Sequence, residues 1–356
     1  MQWNILALAV LVQHGFGQIQ GIPEGVPPML RFSCSQLVID RLDPLVTPGT
    51  VPSPHLHQIV GGNSFNASMD PATHDLVKSS TCTTCTFSED LSNYWTAVLY
   101  FRARNGTYKR VPQGVSEMLR GNGGITVYYI PPYDGKTKVT AFKPGFRMLV
   151  GDAALKSQSK DPKVCHRCMP ESGDWSHLNC APPDSQTLPD KFCAGGIRSV
   201  ITFPTCWDGK NIDSPDHQSH VSYPSEGTFD SPGGGTCPDT HPVKIPQVMF
   251  EVIWDTREFN KEELWPEGGS QPFVWSTGDK DGYTQHGDYV FGWKDDSLQR
   301  AMDNFCFGDV CDVLERQSDE DAMKCTIPQV VEDDIDGCKL HFPHGTEKSL
   351  GEDGSG

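Results

Sequence analysis

Short runs of aromatic and β-branched residues recur along the chain, each closed by glycine, proline or asparagine. Tyr94-Trp-Thr-Ala-Val-Leu-Tyr-Phe101, Gly124-Ile-Thr-Val-Tyr-Tyr-Ile130, Arg198-Ser-Val-Ile-Thr-Phe203 and Gln247-Val-Met-Phe-Glu-Val-Ile-Trp254 read as buried strands. Gln36–Asp40 and Tyr289–Phe291 join them, and Asn105-Gly106 signals a hairpin. Only Ser297–Asn304 carries apolar positions at helical spacing, with a shorter helical turn expected over 112–121. Strands outnumber helices without βαβ alternation. This pattern predicts a mainly β fold, an antiparallel sandwich or distorted jelly-roll with long loops and few short helices.

The 35 glycines and 28 prolines strengthen that reading, because they punctuate many short elements and break long helices. Residues 1–17 hold a short apolar run ending in small residues, the layout of a secretory signal without its basic start. Residues 31–311 read as one large β-rich domain. Residues 312–356 read as an acidic tail, partly disordered and closed by Cys325 and Cys338. The 13 cysteines fit a disulfide-stapled extracellular protein, with one thiol left over. Cys165, Cys168, Cys180 and Cys193 have a spacing like a zinc ribbon, but disulfides suit the compartment better. Two sequons, at Asn66 and Asn105, predict a glycosylated surface.

The formal charge of −17 disfavours nucleic acid and anionic membrane surfaces as partners. No later apolar stretch approaches membrane length. Nucleophile elbow, H-E-x-x-H, P-loop and dinucleotide fingerprints are all missing, so serine hydrolase, classical zinc protease and nucleotide enzyme lose weight.

Histidines set beside aspartate, proline or glycine carry the candidate chemistry. His55-Leu-His57 places two imidazoles on one face of an extended segment, able to share a metal ion. Ser214-Pro-Asp216-His217-Gln-Ser-His220 lies in a polar loop with Trp207, Asp208 and Asp213. Thr240-His241-Pro242 and His286-Gly-Asp288 complete the set, and Gly287 permits an unusual backbone angle. Glu251 and Asp255 are about 13 Å apart along a strand, too far for a glycosidase pair.

The segments His55–Asn63, Ser80–Cys85, Tyr94–Tyr100, Pro144–Asp152, Phe203–Pro224, Cys237–Val243 and His286–Asp288 carry a resemblance. In order and spacing they are similar to the secreted fungal and bacterial domain-of-unknown-function family numbered nineteen-ninety-six, from Arg31 to about Cys306. That resemblance implies an extracellular, glycan-related role by association only. It points to His55, His57, His217, His220, His241 and His286, with Asp208, Asp216 and Asp288.

The expected function is a secreted carbohydrate-active enzyme that cleaves a cell-wall polysaccharide as hydrolase or lyase. His55, His57, Asp216, His217, His220, His241, His286 and Asp288 would act on the substrate, and Arg147, Trp207 and Asp208 would orient it. One alternative is a metal-dependent enzyme with zinc or copper on His55, His57, His241 and His286. Another is a non-catalytic glycan-binding protein that uses Trp95, Trp207 and Trp293.

Overall fold

A computed structural model describes residues 28–337, apart from 115–122, 133, 135, 174–179 and 229–231. The signal-like segment, most of the expected turn over 112–121, and Cys338 lie outside the described residues. The fold is mainly β. A six-stranded sheet runs in the spatial order Phe307–Gly308, Met29–Cys34, Ile125–Ile130, Gln247–Trp254, Ile197–Thr202, Val164–Cys168. A five-stranded sheet runs Val38–Asp40, His57–Gly61, Asn93–Ala97, Gly287–Val290, Arg147–Val150. Every pairing in the two sheets is antiparallel except that of Met29–Cys34 with Phe307–Gly308.

The inner faces of the two sheets pack into one core. Tyr94 stands edge-on to Phe250 with ring centroids 5.6 Å apart, and Tyr289 meets Phe203 and Tyr129 in the same layer. Burial of such rings, each removing some 150–250 Å² from water, is the main drive for the sandwich. The outer face of the five-stranded sheet is also covered. There Ile59, Trp95 and Val290 pack under Phe65, Met69 and Leu76.

The run Tyr94–Phe101 is two strands rather than one. Asn93–Ala97 belongs to the five-stranded sheet, whereas Leu99–Arg102 pairs with Phe273–Trp275 and Tyr108–Arg110 in a separate sheet. The break falls at Val98. Its backbone leaves the ladder to exchange hydrogen bonds with Ser276, whose N–H donates to the Val98 carbonyl at 2.7 Å.

Among the described residues six disulfides staple the fold: Cys34–Cys85, Cys82–Cys325, Cys165–Cys180, Cys168–Cys193, Cys206–Cys237 and Cys306–Cys311. The zinc-ribbon-like cysteines therefore form two disulfides. The expected Cys325–Cys338 bridge is corrected, because Cys325 bonds Cys82. Through residue 337 the tail is docked rather than loosely solvated. The Val330 and Val331 N–H groups donate to Asp40, Arg41 pairs with Asp333 at 2.6 Å, and Ala322 is buried. No helix among the described residues is long and apolar enough to cross a membrane.

Candidate metal centre

Strand order brings three remote histidines to one place. His57 opens the strand His57–Gly61, and its register partner in the neighbouring strand is Ala97. On the far side of that neighbour, Gly287 pairs with Thr96, so His286 falls one position beyond, level with Ala97. The two histidines stand two strand spacings apart, about 9.6 Å between backbones. Between them lies only the methyl group of Ala97, which leaves the rings room to converge. His55 arrives from the segment leading into the strand, where the Ser53 hydroxyl donates to the His55 carbonyl at 2.9 Å.

The Nε2 atom of His286 lies 3.2 Å from Nε2 of His55 and 3.2 Å from Nε2 of His57. Two of the three rings have their tautomers fixed by the backbone. His57 Nδ1 donates to the Leu42 carbonyl at 3.0 Å, and His286 Nδ1 donates to the Thr284 carbonyl at 2.9 Å. A carbonyl can only accept, so both Nδ1 atoms carry the proton and both Nε2 atoms present lone pairs to each other. Burial pushes the His57 imidazole well below its ordinary range, and it lowers His286 as well. Protonation therefore does not relieve the lone-pair contact near neutral pH. A cation would.

The spacing fits one. With metal–nitrogen bonds of about 2.0–2.1 Å, the nitrogens of a tetrahedral zinc site stand about 3.3–3.4 Å apart. Backbone carbonyls that hold the far nitrogens of ligating histidines are the usual outer support of such sites. Asp288 places a buried carboxyl beside the cluster. Its Oδ2 is 3.7 Å from His286 Nε2, and neither carboxylate oxygen has a hydrogen-bond partner among the described residues. Burial drives the Asp288 carboxyl well above the usual carboxylate range, with Asp43 adding to the effect. A buried carboxylate without donors is costly unless positive charge faces it.

Two glycines allow this packing. A Cβ on Gly287 would sit 2.9 Å from Ile201 Cγ2 and 3.1 Å from Phe203 Cζ, so this strand is pressed against the opposite sheet. Gly287 is needed for that approach and not for a left-handed backbone. Gly151 does adopt a left-handed φ of +93°, and a Cβ there would lie 2.8 Å from the His286 Cα.

His55 and His286 open on a cleft of about 770 Å³ that is also lined by Arg41, Asp43, Asp152 and Gln218. Asp43 is buried, accepts the Leu45 and Val46 N–H groups at 3.1 Å each, and is raised above the usual carboxylate range by burial. Sequence reasoning missed Asp43 and Asp152. Asp43-Pro44 reads as ordinary turn chemistry, although Asp152 closes the segment Pro144–Asp152.

The other expected site residues have structural partners. His217 Nδ1 bonds Asp213 at 2.7 Å, which raises its pKa, and its Nε2 donates to the Leu45 carbonyl at 3.1 Å. His220 bridges Ser214 and the Arg147 carbonyl, both at 2.8 Å. His241 is half-buried and joins Thr240 to the Ser219 carbonyl, so it is no member of the histidine cluster. Asp216 is exposed and caps its own loop through Gln218, Ser219 and Ser214, with the Ser219 N–H foremost in lowering its pKa. Asp208 does the same for Lys210 and Asn211. Arg147 is buried, holding the Met69 carbonyl at 2.8 Å, and Trp207 is buried with its N–H on the Asn211 carbonyl. Trp95 and Trp293 are buried too, so these three tryptophans offer no binding platform. Glu251 is buried beside Arg31, and Asp255 pairs with Arg257 on the surface.

The family description Domain of unknown function (DUF1996) matches residues 43–293, and the chain belongs to that family. The match begins at Asp43 and contains all three clustered histidines and Asp288. Comparison with curated proteins and with solved structures finds no match.

Proposed function

We propose that this chain is a secreted, metal-dependent enzyme of hydrolase or lyase type, with a divalent transition metal held by His55, His57 and His286. The observation that supports it is the convergence of three buried Nε2 atoms, two of them held as lone-pair donors by backbone carbonyls. Zinc suits an all-nitrogen, three-ligand set with an open position, whereas copper(II) favours a tetragonal arrangement. When bound, the ion supplies Lewis acidity.

The chain's own residues do the rest. His55 and His286, which would hold the ion with His57, line the cleft, where a substrate could reach it. Asp43 lines the same cleft with its proton affinity raised by burial, which suits a group that takes a proton and returns it. Asp288 would offset part of the ion's charge. Six disulfides and two exposed sequon asparagines, Asn66 and Asn105, support an extracellular setting. Metal analysis of the purified chain, followed by a screen for product release from wall polysaccharides with and without chelator, tests the reading. Product release that is insensitive to stripping the metal contradicts it.

A further inference from the structure

A second cleft adjoins the first. It has a volume of about 430 Å³ and shares Leu149, Gly151, Asp152 and Gln218 with the histidine cleft. Leu149, Gly151 and Asp152 line both, and Gly282 and Tyr283 of the second precede His286 of the first in the chain. Asp152 also lies within electrostatic reach of His286. The two clefts therefore meet along one rim beside the histidine centre.

The lining of the second cleft has a definite chemical character. Tyr223 and Tyr283 are half-buried aromatics, and Ser159, Gln186 and Ser222 bring hydroxyl and amide groups. The lysine present, Lys163, is already compensated. Its Nζ pairs with Asp161 at 2.8 Å and lies 4.3 Å from the centre of the Tyr223 ring. Lys163 covers the Tyr223 ring and the Gln186 amide is bonded to the Ser159 backbone, so the cleft offers the Tyr283 ring and polar groups, with Asp152 and Asp161 as carboxylates and no uncompensated cation. An acidic polymer finds no partner there, and the chain's net charge of −17 repels it.

We infer that the two clefts form one extended groove for a neutral glycan chain, with the second cleft, centred on Tyr283, as a subsite remote from the histidine centre. This rests on the reading of that centre as the reaction site. Aromatic side chains present a large, rigid apolar surface with a polar tip, which suits a sugar ring with its apolar face and hydroxyl rim. A site spread over two pockets of ordinary ligand size requires a ligand longer than either.

The test is calorimetric titration of the zinc-loaded full chain with neutral β-glucan, chitin and mannan oligosaccharides, from disaccharide to octasaccharide. Metal content is measured on the same samples. The groove predicts that, for one of these glycans, affinity climbs with length and then levels off. Tyr283→Ala should weaken the longest oligomers about tenfold and the shortest hardly at all. Ser222→Trp, which fills the second cleft, should do the same with metal content and Tm unchanged. Affinity independent of length, no response to either variant, or binding of peptides in place of glycans overturns the inference. Length-dependent binding by a chain that holds no zinc keeps the groove and overturns the metal reading instead.

Discussion

His57 Nε2 and His286 Nε2 lie 3.2 Å apart although 229 residues separate them in the chain. Each ring donates its other nitrogen to a backbone carbonyl, so two lone pairs face one another in a buried pocket. That contact is unfavourable by itself and becomes favourable when a cation is shared. The account of the molecule's chemistry follows from it.

Asp288 is the first point of attack. It is a buried carboxyl without a hydrogen-bond donor among the described residues, 3.7 Å from His286 Nε2. Asp288→Asn removes the charge and keeps the shape. Metal affinity should fall about 10–100-fold, the usual cost of losing a supporting group at a metal site. The metal-free protein should become more stable near neutral pH, because folding no longer has to protonate a carboxyl that burial holds well above the usual range. Competition titration with a chelator and melting of the stripped protein check the two effects, which move in opposite directions. A purely structural Asp288 would leave the affinity unchanged.

Asp43 lines the cleft and is held by two backbone N–H groups. As proton acceptor it should be sensitive to loss of basicity alone. Asp43→Asn is expected to lower kcat by about 10²–10⁴ with metal content unchanged. Turnover on the best polysaccharide from the screen, with elemental analysis of the variant, checks this.

Asp90 predicts a pH dependence away from the site. It is fully buried among Ser92 and Tyr94, and burial pushes its pKa from 3.8 up to about 7. The fold holds the proton over that interval while the unfolded chain releases it. Its contribution is complete below about pH 4 and is lost as pH rises through about 7. Asp90→Asn, which mimics the protonated acid, should therefore raise Tm at about pH 8 and change it little at about pH 4. Thermal melts across that range read the difference.

His220 and His241 separate structure from site. His220 Nε2 donates to the Arg147 carbonyl inside the fold, whereas His241 bonds on the surface. His220→Ala should cost about 1–3 kcal/mol of stability by leaving that carbonyl unpaired. His241→Ala should cost little. Neither should alter metal content, and denaturant melts with elemental analysis distinguish them from His57→Ala.

The strands were legible because their residues are aromatic or β-branched and their ends are glycine or proline, as in Gln247–Trp254. The break at Val98 was not, because its cause is a partner, Ser276, that is 178 residues away. His55 and His57 could be paired from their spacing, and His286 with Asp288 likewise. That the two pairs meet depends on strand order, which no local pattern encodes. The loop from Ser214 to His220 carries the residue types of a catalytic loop, and Gln218 alone of it lines the clefts. Its aspartates and histidines satisfy backbone groups, and that turn chemistry uses the same residue types as a catalytic loop. Asp43 escaped notice for the converse reason, since a turn aspartate before proline gives no sign of the cleft it lines.

Elemental analysis of the purified full chain, equilibrated with zinc and then dialysed, tests the central claim most directly. The account predicts one zinc ion per chain for the wild type and none for a folded His57→Ala variant. A folded wild-type chain that retains no zinc, or a His57→Ala variant that retains as much, contradicts it.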